Sequence, residues 1–205
     1  TMNILITGCA GFIGFHLTKN LLSKNHKIFG LDNLNSYYDI QLKKNRLLEI
    51  KNYSRKNDFY FKFYKIDISN LKKLKKVFKN NNIDVVINFA AQAGVRYSIV
   101  NPKKYLSSNI IGFFNLIELS RQNKIKHFIY ASTGSVYGDS KKITFSEKNN
   151  TDKPLQFYAA TKKSNEVIAH SYSYIYKLKT TGLRFFTVYG PWGRPDMAYF
   201  KFTNL

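Results

Sequence analysis

The chain reads as an α/β protein built on a doubly wound, parallel β-sheet. Three observations lead there. Short apolar runs rich in β-branched and aromatic residues alternate with helical stretches along the sequence. The first such run leads directly into a glycine-rich turn that opens a helix. The 205 residues suffice for one domain with a sizeable core, and no internal repeat or low-complexity linker divides them. Crossover connections in such an alternation are short and right-handed, which leaves few topologies besides helices on both faces of one sheet.

In order, "NILIT" (3–7) is a buried strand, and the turn after it opens a helix reaching about Leu22. "KIFGLD" (27–32) is the second strand, and the alternating "YFKFYKID" (60–67) the third. Helices around 41–51 and 71–80 flank that third strand. "DVVINFA" (84–90) is the fourth strand, followed by a long amphipathic helix that starts after Pro102. "KHFIYAS" (126–132) is the fifth strand and "TTGLRFF" (180–186) the sixth, with a helix over 158–177 between them. The polar stretch 138–154 is the longest predicted loop.

Composition excludes several classes. The chain carries 33 Lys and Arg against 12 Asp and Glu, a formal charge of +21. Residues 41–80 alone hold 13 of the basic residues against Glu49, Asp58 and Asp67. Charge of that size admits a nucleic-acid binder. The lysines, however, are dispersed among asparagines rather than gathered into an aromatic-interleaved motif, so a solvated surface and no nucleic-acid partner are expected. The same field favours an anionic small ligand. The single cysteine, Cys9, leaves no internal disulfide and no Cys-based zinc site, and is compatible with a reducing cytoplasm. His16, His26, His127 and His170 sit at no metal-ligand spacing, so no metal is expected. No apolar run is long enough to span a bilayer and no signal-peptide pattern is present, so a cytoplasmic location without a membrane partner is expected.

The chemistry concentrates at predicted strand ends. In "TGCAGFIG", Gly8 permits a tight turn, Gly11 lets backbone approach a pyrophosphate, and Gly14 allows close helix–sheet packing. Phosphates would sit at the helix N-terminus, where unpaired N–H groups and the dipole favour anions. Asp32 falls 18 positions beyond Gly14, at the end of the second strand. A carboxylate there can hold an adenosine ribose diol and repels a 2′-phosphate, which favours NAD over NADP. Asp67 and Ile68, at the end of the third strand, could hold the adenine edge; "FAAQAG" (89–94) places small residues where backbone must pass close to a cofactor. Ser132, Thr133 and Ser135 put hydroxyls at the end of the fifth strand. Tyr158 and Lys162 lie four positions apart on one helix face, where a neighbouring cation lowers the pKa of the phenol.

Taken together, these residues resemble the extended short-chain dehydrogenase/reductases. The similarity runs through the glycine turn, Asp32, "YASTGSVYG", "YAATK" and "LRFFTVYGP", essentially the whole chain. Within that family, "LDNLNSYYD", "AAQAGVRYS" and "YGPWGRPDMA" look like UDP-glucuronate 4-epimerases. The resemblance implies a Rossmann-like sheet and a tightly held NAD. Its contacts would be Gly8, Gly11, Phe12, Ile13 and Gly14, then Asp32, Asn33, Asp67 and Ile68. Ala90, Ala91, Gln92, Asn109, Ser132, Tyr158, Lys162 and Phe185 would complete the cofactor set. It further implies Thr133, Tyr158 and Lys162 as the catalytic set. Tyr158, as phenolate, would take the sugar 4-hydroxyl proton through Thr133 while the C4 hydride passes to NAD, and the 4-keto sugar would turn over and be reduced on its other face. Thr133 would contact the substrate at O4, the uronate would be met by Ser132, Ser135, Thr187 or Arg96, and Arg194 would be a second anion contact. Surface or structural roles stay open for both arginines.

The related dehydratases carry an Asp-Glu pair after the catalytic threonine, whereas Gly134-Ser135 follow Thr133 here. A nucleotide-sugar dehydratase therefore ranks lower, and a UDP-glucose 4-epimerase or a non-catalytic NAD-binding module remain as alternatives. The resemblance also implies a cytoplasmic role in surface polysaccharide precursor synthesis and a homodimer through the helices 103–123 and 158–177. Relatives continue well beyond the length of this chain. Residues 1–190 are thus expected to form the NAD-binding domain with the catalytic residues, and 191–205 to begin a nucleotide-sugar-binding region most of which is missing.

Overall fold

The computed structural model describes residues 1–140 and 144–203. Six strands form one parallel sheet in the order β3-β2-β1-β4-β5-β6. They are β1 (Asn3–Thr7), β2 (Lys27–Asp32), β3 (Phe61–Lys65), β4 (Val85–Asn88), β5 (His127–Thr133) and β6 (Thr180–Phe185). The helices that position the site are α1 (Phe12–Ser23), α2 (Ile40–Lys56) and α3 (Leu71–Asn80), with α4 (Tyr97–Val100), α5 (Pro102–Tyr105), α6 (Phe113–Gln122), α7 (Phe157–Tyr176) and the short α8 (Ala198–Thr203).

Side-chain alternation along β1 explains why helices cover both faces. Leu5 packs into one core with Phe113, Leu116 and Phe128, from α6 and β5. Ile4 and Ile6 point the other way, into a second core with Phe15, Leu22 and Ile50, from α1 and α2. A central strand buried on both faces has to be apolar throughout, and "NILIT" nearly is. The order 3-2-1-4-5-6 reverses between β1 and β4, which opens a crevice at the carboxyl ends of those strands.

Several elements depart from the sequence expectation. The helix expected after Pro102 begins with that proline in its first turn and is not uniform. A π-helical stretch, Leu106–Gly112, separates α5 from α6. One extra residue per turn accompanies the inward placement of Asn109, which is buried in that stretch. A Cβ on Gly112 would stand 2.5 Å from Ile68, so glycine lets this segment close on the sheet. Helix α2 runs beyond residue 51, to Lys56, and its N-terminus is capped by the Asp39 carboxylate, which accepts from the Gln41 N–H at 2.8 Å. Strand β3 ends at Lys65, so Asp67 lies just past the strand rather than within it. After β5 the chain enters a 3₁₀ turn, Gly134–Tyr137, not foreseen from the sequence. Residues 141–143 of the predicted loop 138–154 lie outside the described residues. No helix among the described residues is long and apolar enough to cross a membrane.

Candidate active site

A cavity of about 540 Å³ occupies the crevice at the carboxyl ends of the strands. Its floor is the glycine turn. Gly8 has φ +71°, its N–H donates to the Leu31 carbonyl at 2.7 Å, and the Gly11 N–H closes back on the Gly8 carbonyl at 2.9 Å. Gly11 then starts α1 with no side-chain cap, which leaves the first-turn N–H groups to face an anion. A Cβ on Gly8 would lie 2.7 Å from the Ala90 nitrogen, and one on Gly14 only 2.1 Å from the Gly8 carbonyl oxygen. Gly14→Ala is therefore expected to cost roughly 1–3 kcal/mol of stability by overpacking, measured as a lowered urea midpoint.

Asp32 ends β2 at the cavity wall, buried. Its carboxylate accepts from the Ala10 N–H at 3.1 Å and the Leu34 N–H at 2.8 Å. Burial raises its pKa, while those N–H groups and the nearby Lys43 and Arg46 pull it back. Beside it, the Asn33 amide donates to Asp67 at 2.6 Å, and Ser69 donates to Asp67 through both hydroxyl and backbone N–H. Burial works against the Asp67 carboxylate, yet these bonds hold its pKa below the ordinary value.

The opposite wall carries Ser132, Thr133, Ser135, Tyr158, Lys162, Phe185 and Thr187. Thr133 accepts from the Ser135 N–H at 3.2 Å, its hydroxyl donates to the Ser135 hydroxyl at 3.3 Å, and it stands close enough to the Tyr158 phenol to pull that group's pKa down. Lys162 is buried, and its ammonium donates to the Ala131 carbonyl at 2.8 Å. Burial lowers its pKa to about 8.

This corrects the expected phenol electrostatics. The pKa of Tyr158 is raised by burial, opposed by the neighbouring Thr133 hydroxyl and by the charge of Arg194. The spacing puts Tyr158 and Lys162 on one helix face, but the lysine head donates to the Ala131 carbonyl on β5. Ser132 lines the cavity, and its hydroxyl donates to Glu166 at 2.6 Å. Arg184 holds that same carboxylate with two bonds of 2.9 Å, which makes Ser132 part of a brace between β5, α7 and β6.

Of the other expected cofactor contacts, Phe12, Ile13, Ile68, Ala90, Ala91 and Gln92 line the cavity. Asn109 does not. Its side chain accepts from the Gln92 N–H at 2.8 Å and donates to the Gln92 carbonyl and the Thr161 hydroxyl, each at 3.1 Å. It positions Gln92 rather than facing the cavity. The two arginines separate: Arg194 lines the cavity in an ion pair with Asp196, whereas Arg96 is exposed at the head of α4, outside the lining.

Sequence reasoning missed Lys43 and Arg46, which project from α2 three residues apart and carry charge to Asp32. The Lys43 ammonium lines the cavity and donates to the Asn35 carbonyl and side chain at 2.8 and 2.6 Å. Burial lowers its pKa, against the pull of Asp32. Their signal was the spacing, hidden among the many basic residues of 41–80. Among the described residues there is no cluster of three or more His, Cys, Asp or Glu that could hold a metal ion.

An uncapped glycine turn, a buried carboxylate at the next strand end and a hydroxyl–phenol–lysine wall are the parts of a dinucleotide-dependent site. The NAD dependent epimerase/dehydratase family matches residues 4–204. The chain belongs to that family. Among curated proteins it is 56% identical to Protein CapI of Staphylococcus aureus, over 99% of this chain and 59% of that protein. It is 47% identical to a probable UDP-glucuronate 4-epimerase of Rhizobium meliloti, over 99% of this chain and 58% of that one. Among solved structures, a tyrosine-to-phenylalanine mutant of the UDP-glucuronic acid 4-epimerase of Bacillus cereus superposes with a TM-score of 0.87 at 37% identity. That structure holds NAD and a 4-deoxy-4-fluoro analogue of UDP-glucuronic acid, and the match covers 97% of this chain and 61% of that one. The chain thus spans about three fifths of the length of these relatives.

Proposed function

We propose that this chain is the cofactor-binding and catalytic part of an NAD-dependent UDP-sugar 4-epimerase that interconverts UDP-glucuronate and UDP-galacturonate. The observation that carries the reading is the wall above the glycine turn, where Thr133 and Tyr158 line the cavity together and a buried Lys162 follows one helical turn later. The residues present fit NAD. Gly8 and Gly14 leave no room for a side chain, the first turn of α1 carries no side-chain cap, and Asp32 is a buried carboxylate with two N–H donors behind it.

Gly8, Gly11, Phe12, Ile13 and Gly14 would take the pyrophosphate, and Asp32 the adenosine ribose, with Lys43 beside it. When bound, NAD supplies reversible oxidation of the sugar at C4, through a 4-keto sugar. The protein's part is proton handling and placement. Thr133 relays the proton between sugar O4 and the Tyr158 oxygen, and returns it after the sugar has turned over. Lys162 supplies a positive charge in a site that excludes water, where it weighs more than at the surface. Arg194 and Thr187 face the cavity where a uronate could lie. Incubating the chain with NAD and UDP-glucuronate should yield UDP-galacturonate by chromatography. NAD binding without any conversion of a UDP-hexose or UDP-uronate would instead favour a non-catalytic NAD-binding module.

The product is an activated uronic acid, which suits surface polysaccharide precursor synthesis in the cytoplasm. The helices α6 and α7 also leave apolar side chains exposed, including Phe114, Val167, Tyr174 and Ile175. A second copy of the chain would cover them. Sedimentation at micromolar concentration should show a dimer that Val167→Lys shifts to monomer. A wild-type monomer at all concentrations would end that proposal.

A further inference from the structure

Arg46 is fully buried, and its guanidinium has no carboxylate bonded to it. Its five N–H donors are all spent. Nη1 donates to the Ala10 carbonyl at 3.1 Å and the Tyr38 hydroxyl at 2.7 Å. Nε donates to the Trp192 carbonyl at 3.1 Å, and Nη2 to the Trp192 and Gly193 carbonyls at 2.5 and 3.1 Å. A buried cation held mainly by carbonyl dipoles is costly, and each acceptor that moves away leaves a charged donor unpaired.

Its acceptors come from two chain segments that adjoin the cavity. Ala10 lies inside the glycine turn, and its N–H donates to Asp32, so this peptide is held on both sides. Trp192 and Gly193 immediately precede Arg194, the cavity-facing arginine. Trp192 has φ +62°, a left-handed conformation that a bulky side chain adopts only when its surroundings enforce it. The same segment also rests on α1, through His16 against the Pro191 carbonyl at 2.8 Å and Phe15 against the Trp192 ring.

We propose that Arg46 is a positioning residue that couples occupancy of the glycine turn to the order of the Arg194 segment. An anion on the turn fixes the Ala10 peptide. That keeps one of the Arg46 acceptors in place, and the filled guanidinium in turn holds the Trp192 and Gly193 carbonyls. Loosening either end costs the other, which is a reciprocal coupling between two parts of the cavity. The proposal rests on the reading that the turn cradles a dinucleotide pyrophosphate.

The test is hydrogen exchange of the whole chain with and without ADP, which carries the adenosine diphosphate half and does not extend to the nicotinamide end. In the wild type, ADP should slow exchange at Gly8–Gly11, and should slow Trp192–Arg194 by roughly fivefold or more. In Arg46→Gln the turn should still gain protection while Trp192–Arg194 no longer responds. Protection of the turn without protection of 192–194 in the wild type overturns the coupling. So does an equal response of 192–194 in the variant. No protection at the turn itself overturns the pyrophosphate reading, and the coupling falls with it. Where Arg46→Gln does not fold, Arg46→Lys is read in the same way. It keeps the charge but cannot span Ala10, Trp192 and Gly193 at once.

Discussion

Tyr158→Phe is expected to lower the epimerase turnover of the chain by roughly a hundredfold to ten-thousandfold, the usual contribution of a positioned acid–base group. The substitution removes one oxygen and little else. The ring still packs edge-on against Tyr105, 6.0 Å between centroids, so the melting temperature and the calorimetric affinity for NAD should stay close to wild type. A second signature separates proton transfer from mere placement. Burial raises the Tyr158 pKa in the free protein, so the basic form grows only as pH climbs, and wild-type kcat/KM should rise towards alkaline pH. The residual rate of the Phe variant should lack that rise. Wild-type-like turnover in Tyr158→Phe would remove the phenol from the mechanism, and an unchanged pH profile with a lowered rate would leave it a packing residue. Thr133 is the natural companion: Thr133→Val keeps the β-branched shape, removes the hydroxyl that pulls the Tyr158 pKa down, and should raise the phenol pKa further.

What could be read in the sequence was whatever depends on period and spacing. The strand "NILIT" announces itself because a central parallel strand must be apolar on both faces, and the glycines announce the turn because each fills a place where a Cβ collides with backbone. Asp32 could be placed by its distance from Gly14 alone. Side-chain direction at the end of a long rotamer chain could not be placed so. Lys162 lies on the face of Tyr158, yet its ammonium reaches the Ala131 carbonyl, and Ser132 turns its hydroxyl to Glu166. Both outcomes depend on partners 31 and 34 residues away. The π-helical stretch leaves no compositional trace, because a slipped hydrogen-bond register changes no residue type. Lys43 and Arg46 were invisible for the opposite reason. In a segment crowded with basic residues, composition cannot mark the two that are drawn inward by Asp32, Asn35 and the Trp192 carbonyl.

Lys162→Met is expected to stabilise the ligand-free protein at neutral pH, and the gain should fade as pH rises. Lys162 is buried among β5 and α7 with one carbonyl partner, and burial lowers its pKa from 10.5 to about 8. The unfolded chain therefore binds this proton more tightly than the folded one. Folding carries the full cost of the buried ammonium below about pH 8, sheds it between about 8 and 10.5, and is free of it above. At about 1.4 kcal/mol per pH unit, that cost is on the order of 3 kcal/mol. Tyrosines with raised pKa values, Tyr105, Tyr130 and Tyr172 among them, pull stability the opposite way at high pH, because their phenols hold protons more tightly when folded. They do so in both proteins, so the difference between wild-type and variant urea midpoints isolates Lys162. That difference should shrink between pH 8 and 10.5, and a constant difference would show that Lys162 holds its proton as tightly folded as unfolded, so that burial does not lower its pKa. A residue retained against such a cost is held for something other than the fold. NAD should accordingly raise the melting temperature of the wild type by more than that of Lys162→Met. Equal shifts would mean that the buried charge does not act on the bound cofactor.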